Sequence, residues 1–227
     1  MLTLAIDTST NILSIALVRD DEILAHFDEP TKNNQSEILM TRIETLMKHC
    51  ELKPSDLEKI AVAIGPGSYT GVRVGVTVAK TLAFALAIPI VGISSLQVMM
   101  HLFLNESGTT NATAQKDEND LIVAMIDARR GAVFSATYAS NGELMIPEGH
   151  HDMKAYLEKL PSEKSFAVIG DETLASKEPW VIKESSLKGS KAVSLALMAQ
   201  ALPPQENVHQ LLPNYLRKTE AEMNVER

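Results

Sequence analysis

The feature that most constrains the fold is an internal repeat, in which one order of strands and helices occurs twice. Residues 2–29 form three short apolar or alternating segments joined by tight turns, a pattern typical of an antiparallel meander. Residues 121–148 repeat this pattern, with Asp127 in the place of Asp7. In each half a helical segment and then an apolar strand of the buried parallel type follow. The duplication predicts an α/β fold with two domains, each with a mixed sheet of meander and parallel strands flanked by helices.

A polar segment separates the two copies of the repeat. Residues 105–120 contain no large apolar side chain, which is typical of a linker or an exposed loop. We therefore predict an N-terminal domain over residues 1–106, a linker or exposed loop over 107–119, and a C-terminal domain with a tail over 120–227.

Charge and hydropathy limit the partners and the compartment. The sequence has 21 basic and 29 acidic residues and a net charge of −8, which argues against a chain that binds nucleic acid alone, because phosphate neutralisation supplies most of that affinity. Two basic pairs, Arg129-Arg130 and Arg217-Lys218, are candidates for part of a composite tRNA surface. No apolar run approaches about 18 residues and the N-terminal segment has no basic leader, so we expect a cytoplasmic protein without a membrane segment.

The duplication resembles the actin-like superfamily of sugar kinases and heat-shock ATPases, also termed ASKHA, with an RNase H-like fold. The resemblance implies a nucleotide cleft between the domains, with phosphate-binding turns in which glycines follow an acidic residue. Here the first turn, Asp7-Thr8-Ser9, lacks glycine, and the second turn has Arg129 two residues after Asp127. We interpret these five residues as remnants of phosphate turns and expect no tight ATP binding by the chain alone. Two interpretations of Asp7 stay open, a carboxylate that caps its turn and a magnesium ligand.

A glycine-rich segment, GPGSYTGVRVG at 65–75, precedes a helix predicted to extend to about residue 87. It lacks the Lys-Ser/Thr pair of a P-loop, although the amides at the start of the helix are a candidate anion site. Small residues recur at every fourth position and therefore share one helix face: Gly71, Gly75, Ala79, Ala83 and Ala87. Glycine costs about 1 kcal/mol relative to alanine inside a helix. This face therefore predicts a close approach, either of another element in the same domain or of a second subunit.

Four segments together resemble one bacterial protein family over nearly the whole chain: LAIDTSTNILSIAL, GPGSYTGVRVGVTVAKTLAFA, DARRGAVFSATY and LLPNYLRKTEAE. They are similar to TsaB, a family of tRNA threonylcarbamoyladenosine biosynthesis proteins. The resemblance implies pairing with the paralogue TsaD, which transfers a threonylcarbamoyl group to the adenosine next to the anticodon, and with the ATPase TsaE. The two metal-binding histidines of TsaD correspond here to Ser95 and Met99, which are unsuited to that metal. The resemblance therefore implies that ATP and a metal are bound by the partner subunits.

The resemblance places the partner interface on the N-terminal helices at about 35–50 and 70–87. The candidate contact residues are apolar or small residues of these helices: Leu39, Ile43, Met47, Gly71, Val72, Gly75, Val76 and Ala79. We predict a non-catalytic accessory subunit required for threonylcarbamoyl transfer to tRNAs that read codons starting with A. It is expected to form a homodimer in the absence of its partner and to contact tRNA only through the complex. The alternative is a stand-alone ATP-dependent or peptidase-like enzyme, for which Ser68 lies in a glycine-rich turn but no GxSxG segment is present.

Overall fold

A computed structural model of the chain describes residues 1–31, 35–107, 121–162, 164–187 and 189–217. The elements of the first half, in chain order, are β1 (Leu2–Asp7), β2 (Ile12–Arg19), β3 (Glu22–Pro30), α1 (Gln35–His49), β4 (Lys59–Ala63), α2 (Tyr69–Leu86), β5 (Ile90–Ile93) and α3 (Ser95–Ser107). The elements of the second half are β6 (Leu121–Asp127), β7 (Ala132–Ala139), β8 (Leu144–Asp152), α4 (Met153–Leu157), β9 (Phe166–Gly170), α5 (Glu172–Lys177), β10 (Ile182–Lys183) and α6 (Lys191–Ala201).

Each half folds around a five-stranded mixed sheet, and the two sheets have the same strand order. The first sheet is β3-β2-β1-β4-β5, in which β1 is antiparallel to β2 and parallel to β4. The second sheet is β8-β7-β6-β9-β10, with the same directions around β6. The predicted duplication is therefore confirmed, and so is the predicted actin-like fold class. Asp7 and Asp127 are the last residues of the equivalent strands β1 and β6.

Helices α1 and α2 cover one face of the first sheet. Apolar side chains of β1 and β2, such as Leu4 and Ile15, form a core with Leu39 of α1 and Val76 of α2. Successive strand residues face opposite sides of a sheet, so Ala5 belongs to a second core on the other face. The first sheet is thus buried on both sides, which explains the almost continuous apolar run in β1.

Helices α3 and α6 each pack on the sheet of the other half of the sequence. α6 follows the second sheet in the chain, but Leu195 and its neighbours pack on the first sheet. α3 precedes the second sheet, and its Met99 is part of the core of that sheet. The boundary predicted at 107–119 lies almost wholly outside the described residues and stays a prediction. Within the described part of the chain, no helix is both long and apolar enough to span a bilayer.

Candidate functional site

The ends of β1 and β6 meet at a cleft between the two halves. A cavity of about 600 Å³ there is lined by the turn after β1, the start of α2, the turn after β6 and the start of α5. Of the residues predicted from the phosphate turns, Ser9, Asp127 and Arg129 line this cavity. Asp7 and Thr8 are completely buried at the end of β1. The fold therefore brings the two predicted turns to one place.

The small-residue face of α2 accommodates the turn after β1. The hydroxyl of Thr8 donates a hydrogen bond to the carbonyl oxygen of Gly71 at 2.7 Å, and the amide of Ser68 donates to the carbonyl oxygen of Ser9 at 2.7 Å. A Cβ atom on Gly71 would overlap the backbone carbonyl of Thr8, and one on Gly75 would overlap its hydroxyl. Of the two interpretations of the glycines, the structure therefore favours a close approach within the same domain.

The eight residues predicted for a partner interface are buried in α1 and α2. They are Leu39, Ile43, Met47, Gly71, Val72, Gly75, Val76 and Ala79. Their apolar side chains pack between α1, α2 and the first sheet, because this helix face is the one that the domain core requires. These eight side chains are therefore not exposed in the free chain. A partner that binds to α1 and α2 must also contact exposed side chains next to them.

Asp7 caps its own turn. One carboxylate oxygen, Oδ1, accepts hydrogen bonds from the amide of Ser9 at 2.8 Å and from its hydroxyl at 2.6 Å. The other oxygen, Oδ2, lies 3.6 Å from the ammonium nitrogen of Lys191. This geometry favours the capping interpretation of Asp7, with a lysine in the position that a bound cation would need.

Lys191 belongs to a buried cluster that joins the two halves. Its Nζ donates to the hydroxyl of Thr10 at 2.6 Å and lies 3.2 Å from Oε2 of Glu184. The hydroxyl of Thr10 in turn donates to Oε1 of Glu184 at 2.7 Å. Burial lowers the pKa of Lys191, but attraction to Asp7 and Glu184 outweighs burial and raises the pKa above its ordinary value. The ammonium is therefore charged, and it neutralises part of the charge of two buried carboxylates.

The second acidic turn also has a lysine partner. Oδ2 of Asp127 accepts a hydrogen bond from Nζ of Lys177 at 2.7 Å, and its backbone amide donates to Asp171 at 3.0 Å. The two arginines of the turn both have left-handed backbone conformations, with φ of 67° at Arg129 and 55° at Arg130. Such conformations are strained in residues other than glycine. The turn therefore presents arginine side chains where the superfamily resemblance implies glycines.

Sequence reasoning missed Lys191, Glu184 and Lys177. Thr10 and Glu184 are 174 positions apart, and no local pattern indicates such a contact. One signal was available at Lys191, which begins a helix whose other residues are mostly apolar. A cation in the first turn is unfavourable for the helix dipole, so a carboxylate partner was to be expected.

The residues present do not fit a histidine-bound metal. Ser95 and Met99, which the family resemblance places at metal-binding positions, are both buried, and Met99 packs in the second core. The ring of His101 hydrogen-bonds to Asn105. No group of three or more His, Cys, Asp or Glu side chains suited to a metal occurs among the described residues.

The hydroxyl of Ser68 has a structural task. It accepts a hydrogen bond from the amide of Gly71 at 3.2 Å and so caps the N-terminus of α2. Within the described part of the chain, no histidine lines the cleft beside it. Two carboxylates, Asp127 and Asp171, do line the cleft: Asp127 accepts a hydrogen bond from Lys177, and Asp171 accepts from the backbone amides of Asp127 and Leu174.

Comparison with known proteins relates the whole chain to threonylcarbamoyladenosine proteins. The family model described as "TsaD: tRNA N6-adenosine threonylcarbamoyltransferase" matches residues 23–223. The tRNA threonylcarbamoyladenosine biosynthesis protein TsaB of Bacillus subtilis (strain 168) is 36% identical over 98% of this chain and 96% of its own length. TsaB of Escherichia coli (strain K12) is 33% identical over 61% of this chain and 55% of its own length.

A solved structure agrees with these relatives. It is a Pseudomonas aeruginosa protein described as uncharacterized with similarity to peptidase YEAZ. That structure superimposes with a TM-score of 0.73 at 25% identity, over 95% of this chain and 99% of its own. The chain therefore belongs to the TsaB family of tRNA threonylcarbamoyladenosine biosynthesis proteins, within the actin-like superfamily.

Proposed function

We propose that the chain is a cytoplasmic, non-catalytic accessory subunit required for threonylcarbamoyl transfer to the adenosine next to the anticodon of tRNAs that read codons starting with A. It acts in a complex with a TsaD-like catalytic paralogue and a TsaE-like ATPase. The observation that best supports this proposal is that each acidic turn residue of the cleft already has a lysine partner. Lys191 forms an ion pair with Asp7, and Lys177 forms one with Asp127. The names of the TsaB relatives supply the reaction.

The energetics of the buried cluster oppose tight nucleotide binding by the chain alone. A magnesium nucleotide held by Asp7 requires Lys191 to leave, although Lys191 and Glu184 are each only 3% exposed. Removing one member of a buried ion pair typically costs about 3–5 kcal/mol, which lowers affinity about a hundredfold or more. We therefore expect ATP and the metal to be bound tightly by the partner subunits.

The geometry of the cleft gives less support to the alternative hypothesis, a stand-alone enzyme. A peptidase needs a nucleophile with an adjacent base, whereas the Ser68 hydroxyl accepts a helix-capping hydrogen bond. A kinase needs phosphate turns that a nucleotide can approach, whereas Arg129 lines the cleft at the second turn. Both points support an accessory role.

We assign the contact with the catalytic paralogue to a groove beside α1. This apolar groove of about 590 Å³ is lined by residues of α1, α2 and the segment after α1. Ile43 and Met47, two of the residues predicted for the interface, line it, and Met40 lies beside them with half of its side chain exposed. An apolar helix face of the partner suits such a groove. In the absence of the paralogue, we expect a second copy of the chain to occupy the same groove.

The groove is tested by replacing Met40 with arginine. We expect Met40→Arg to weaken co-purification with the catalytic paralogue at least about tenfold, because a charge is then desolvated in an apolar interface. The measurement is the fraction of chain retained by the tagged paralogue, with circular dichroism as a check of folding. The matched control is Met145→Arg, at a methionine of β8 that is equally exposed. Normal retention of Met40→Arg, or equal loss in both variants, would exclude this groove as the interface.

A further inference from the structure

A second pocket at the mouth of the cleft has a different chemistry. It has a volume of about 330 Å³ and is lined on one side by Tyr69, the first residue of α2, and on the other by the turn after β6. Tyr215, from the segment after α6, stacks on Tyr69 with ring centroids 4.7 Å apart and planes inclined by 25°. Both rings are nearly half exposed. The pocket therefore has an aromatic wall that is open to solvent on one side.

Arginines surround this aromatic wall. Arg129, Arg130 and Arg217 line the pocket. Burial raises the pKa of Tyr215, whereas the positive charge of Arg73 of α2 opposes that shift. Among the residues that the structure describes, no carboxylate forms an ion pair with Arg129 or Arg217. In a chain of net charge −8, this convergence of cations indicates a site for an anion.

The backbone of the turn keeps two of these arginines at the pocket. Arg129 and Arg130 have left-handed φ angles, and Gly131 follows with φ of 79°. Consecutive left-handed residues other than glycine are strained, and such strain is concentrated at functional sites. Asp127 and Asp171 line the adjoining inner cavity, whereas no carboxylate of the described residues lines the outer pocket. The anion is therefore favoured in the outer pocket, beside the tyrosines.

We propose that this arginine–tyrosine pocket, formed by Tyr69, Tyr215, Arg129, Arg130 and Arg217, binds an unstacked nucleotide of a single-stranded RNA segment. The base stacks on the exposed side of the tyrosine pair, and Arg129 and Arg217 bind the phosphates on either side of it. Stacking on aromatic rings beside a basic groove is the general means by which proteins hold single strands. A duplex does not fit, because its bases are stacked on one another. The choice of RNA rests on the proposed function in tRNA modification, whereas the stacking and charge rest on the pocket itself.

In the complex, this pocket would add to the RNA contacts of the partner subunits. We therefore expect the chain alone to bind RNA weakly. The experiment measures fluorescence anisotropy of a labelled single-stranded RNA of about eight nucleotides with the purified full chain. We expect a dissociation constant of about 10⁻⁴ M that weakens about tenfold between 50 and 200 mM salt. Tyr215→Ala should weaken binding about tenfold, and Tyr215→Phe should retain it. Arg129→Ala and Arg217→Ala should each weaken binding and reduce its salt dependence, whereas Lys154→Ala, at an exposed lysine of α4, should change neither.

Four outcomes would overturn the proposal. They are absence of RNA binding, equal binding by Tyr215→Ala and the unaltered chain, displacement of the RNA by polyglutamate as readily as by unlabelled RNA, and binding of AMP without binding of RNA. The pocket variants should still co-purify with the catalytic paralogue, because the pocket is distinct from the groove beside α1. RNA binding can therefore fail while the accessory-subunit proposal stands, and the reverse also holds.

Discussion

Lys191→Met is expected to lower the free energy of unfolding by about 3–5 kcal/mol. The substitution keeps an unbranched apolar side chain but removes the ammonium that lies between Asp7 and Glu184. Both carboxylates then remain buried without their cation, and burial strongly disfavours an unpaired charge. The measurement is urea denaturation of the isolated chain at pH 7, monitored by circular dichroism.

The matched control for this variant is Lys177→Met. Lys177 pairs with Asp127 at the equivalent place in the second half, but 53% of its side chain is exposed. Water reaches the lysine of this pair but hardly the Asp127 side chain, which is 8% exposed, so Lys177→Met should cost clearly less stability than Lys191→Met, which leaves two fully buried carboxylates without a cation. The double variant Glu184→Gln/Lys191→Met should recover part of the stability, because one buried charge has been removed. Equal stability of Lys191→Met and Lys177→Met would contradict the structural role assigned to the buried cluster.

Gly71→Ala is expected to destabilise the isolated chain by about 1–3 kcal/mol, although alanine is the better helix former. Helix propensity alone predicts a gain of about 1 kcal/mol. The new methyl group, however, overlaps the backbone carbonyl of Thr8, and overpacking of this kind typically costs about 1–3 kcal/mol. The sign of the change therefore distinguishes packing from propensity, and thermal denaturation of the isolated chain at one fixed protein concentration measures it.

A second glycine variant distinguishes contact with the backbone of Thr8 from contact with its side chain. Gly75→Ala meets the hydroxyl of Thr8 rather than its backbone, so Gly75→Ala/Thr8→Ala should be more stable than Gly75→Ala alone. The same Thr8→Ala change should give no such relief to Gly71→Ala. Thr81→Ala, on the exposed side of α2, serves as the neutral control on the same helix. If Gly71→Ala stabilises the free chain, the close packing of the turn against α2 is wrong.

The repeat in the sequence predicted most of the fold because strand order follows from local patterns. Apolar alternation and tight turns identify the meanders around Asp7 and Asp127, and the equivalent parallel strands follow in each half. The same patterns do not indicate which sheet a helix covers. Leu195 of α6 packs on the first sheet and Met99 of α3 on the second, because both helices are apolar enough to be buried in either place.

In the candidate site, the sequence predicted only contacts between residues that are close together in the chain. Asp7 and Ser9 are two positions apart, so a turn-capping carboxylate could be inferred from the sequence. The partners of Lys191 lie far away in the chain, and only the folded structure brings them together. The glycines of α2 predicted that another group lies close to this helix. Only the folded structure identifies that group as Thr8, in the turn after β1.

The most direct test of the account is reconstitution of the tRNA modification from purified proteins. The reaction contains the TsaD-like paralogue, the TsaE-like ATPase, ATP, a threonylcarbamoyl donor and an unmodified tRNA that reads a codon starting with A, with or without this chain. The measurement is transfer of a radiolabel from the threonyl part of the donor to the tRNA. We expect incorporation only when the chain is present together with the paralogue, and none with the chain alone. Full incorporation without the chain, or incorporation by the chain alone, would contradict its role as a non-catalytic accessory subunit.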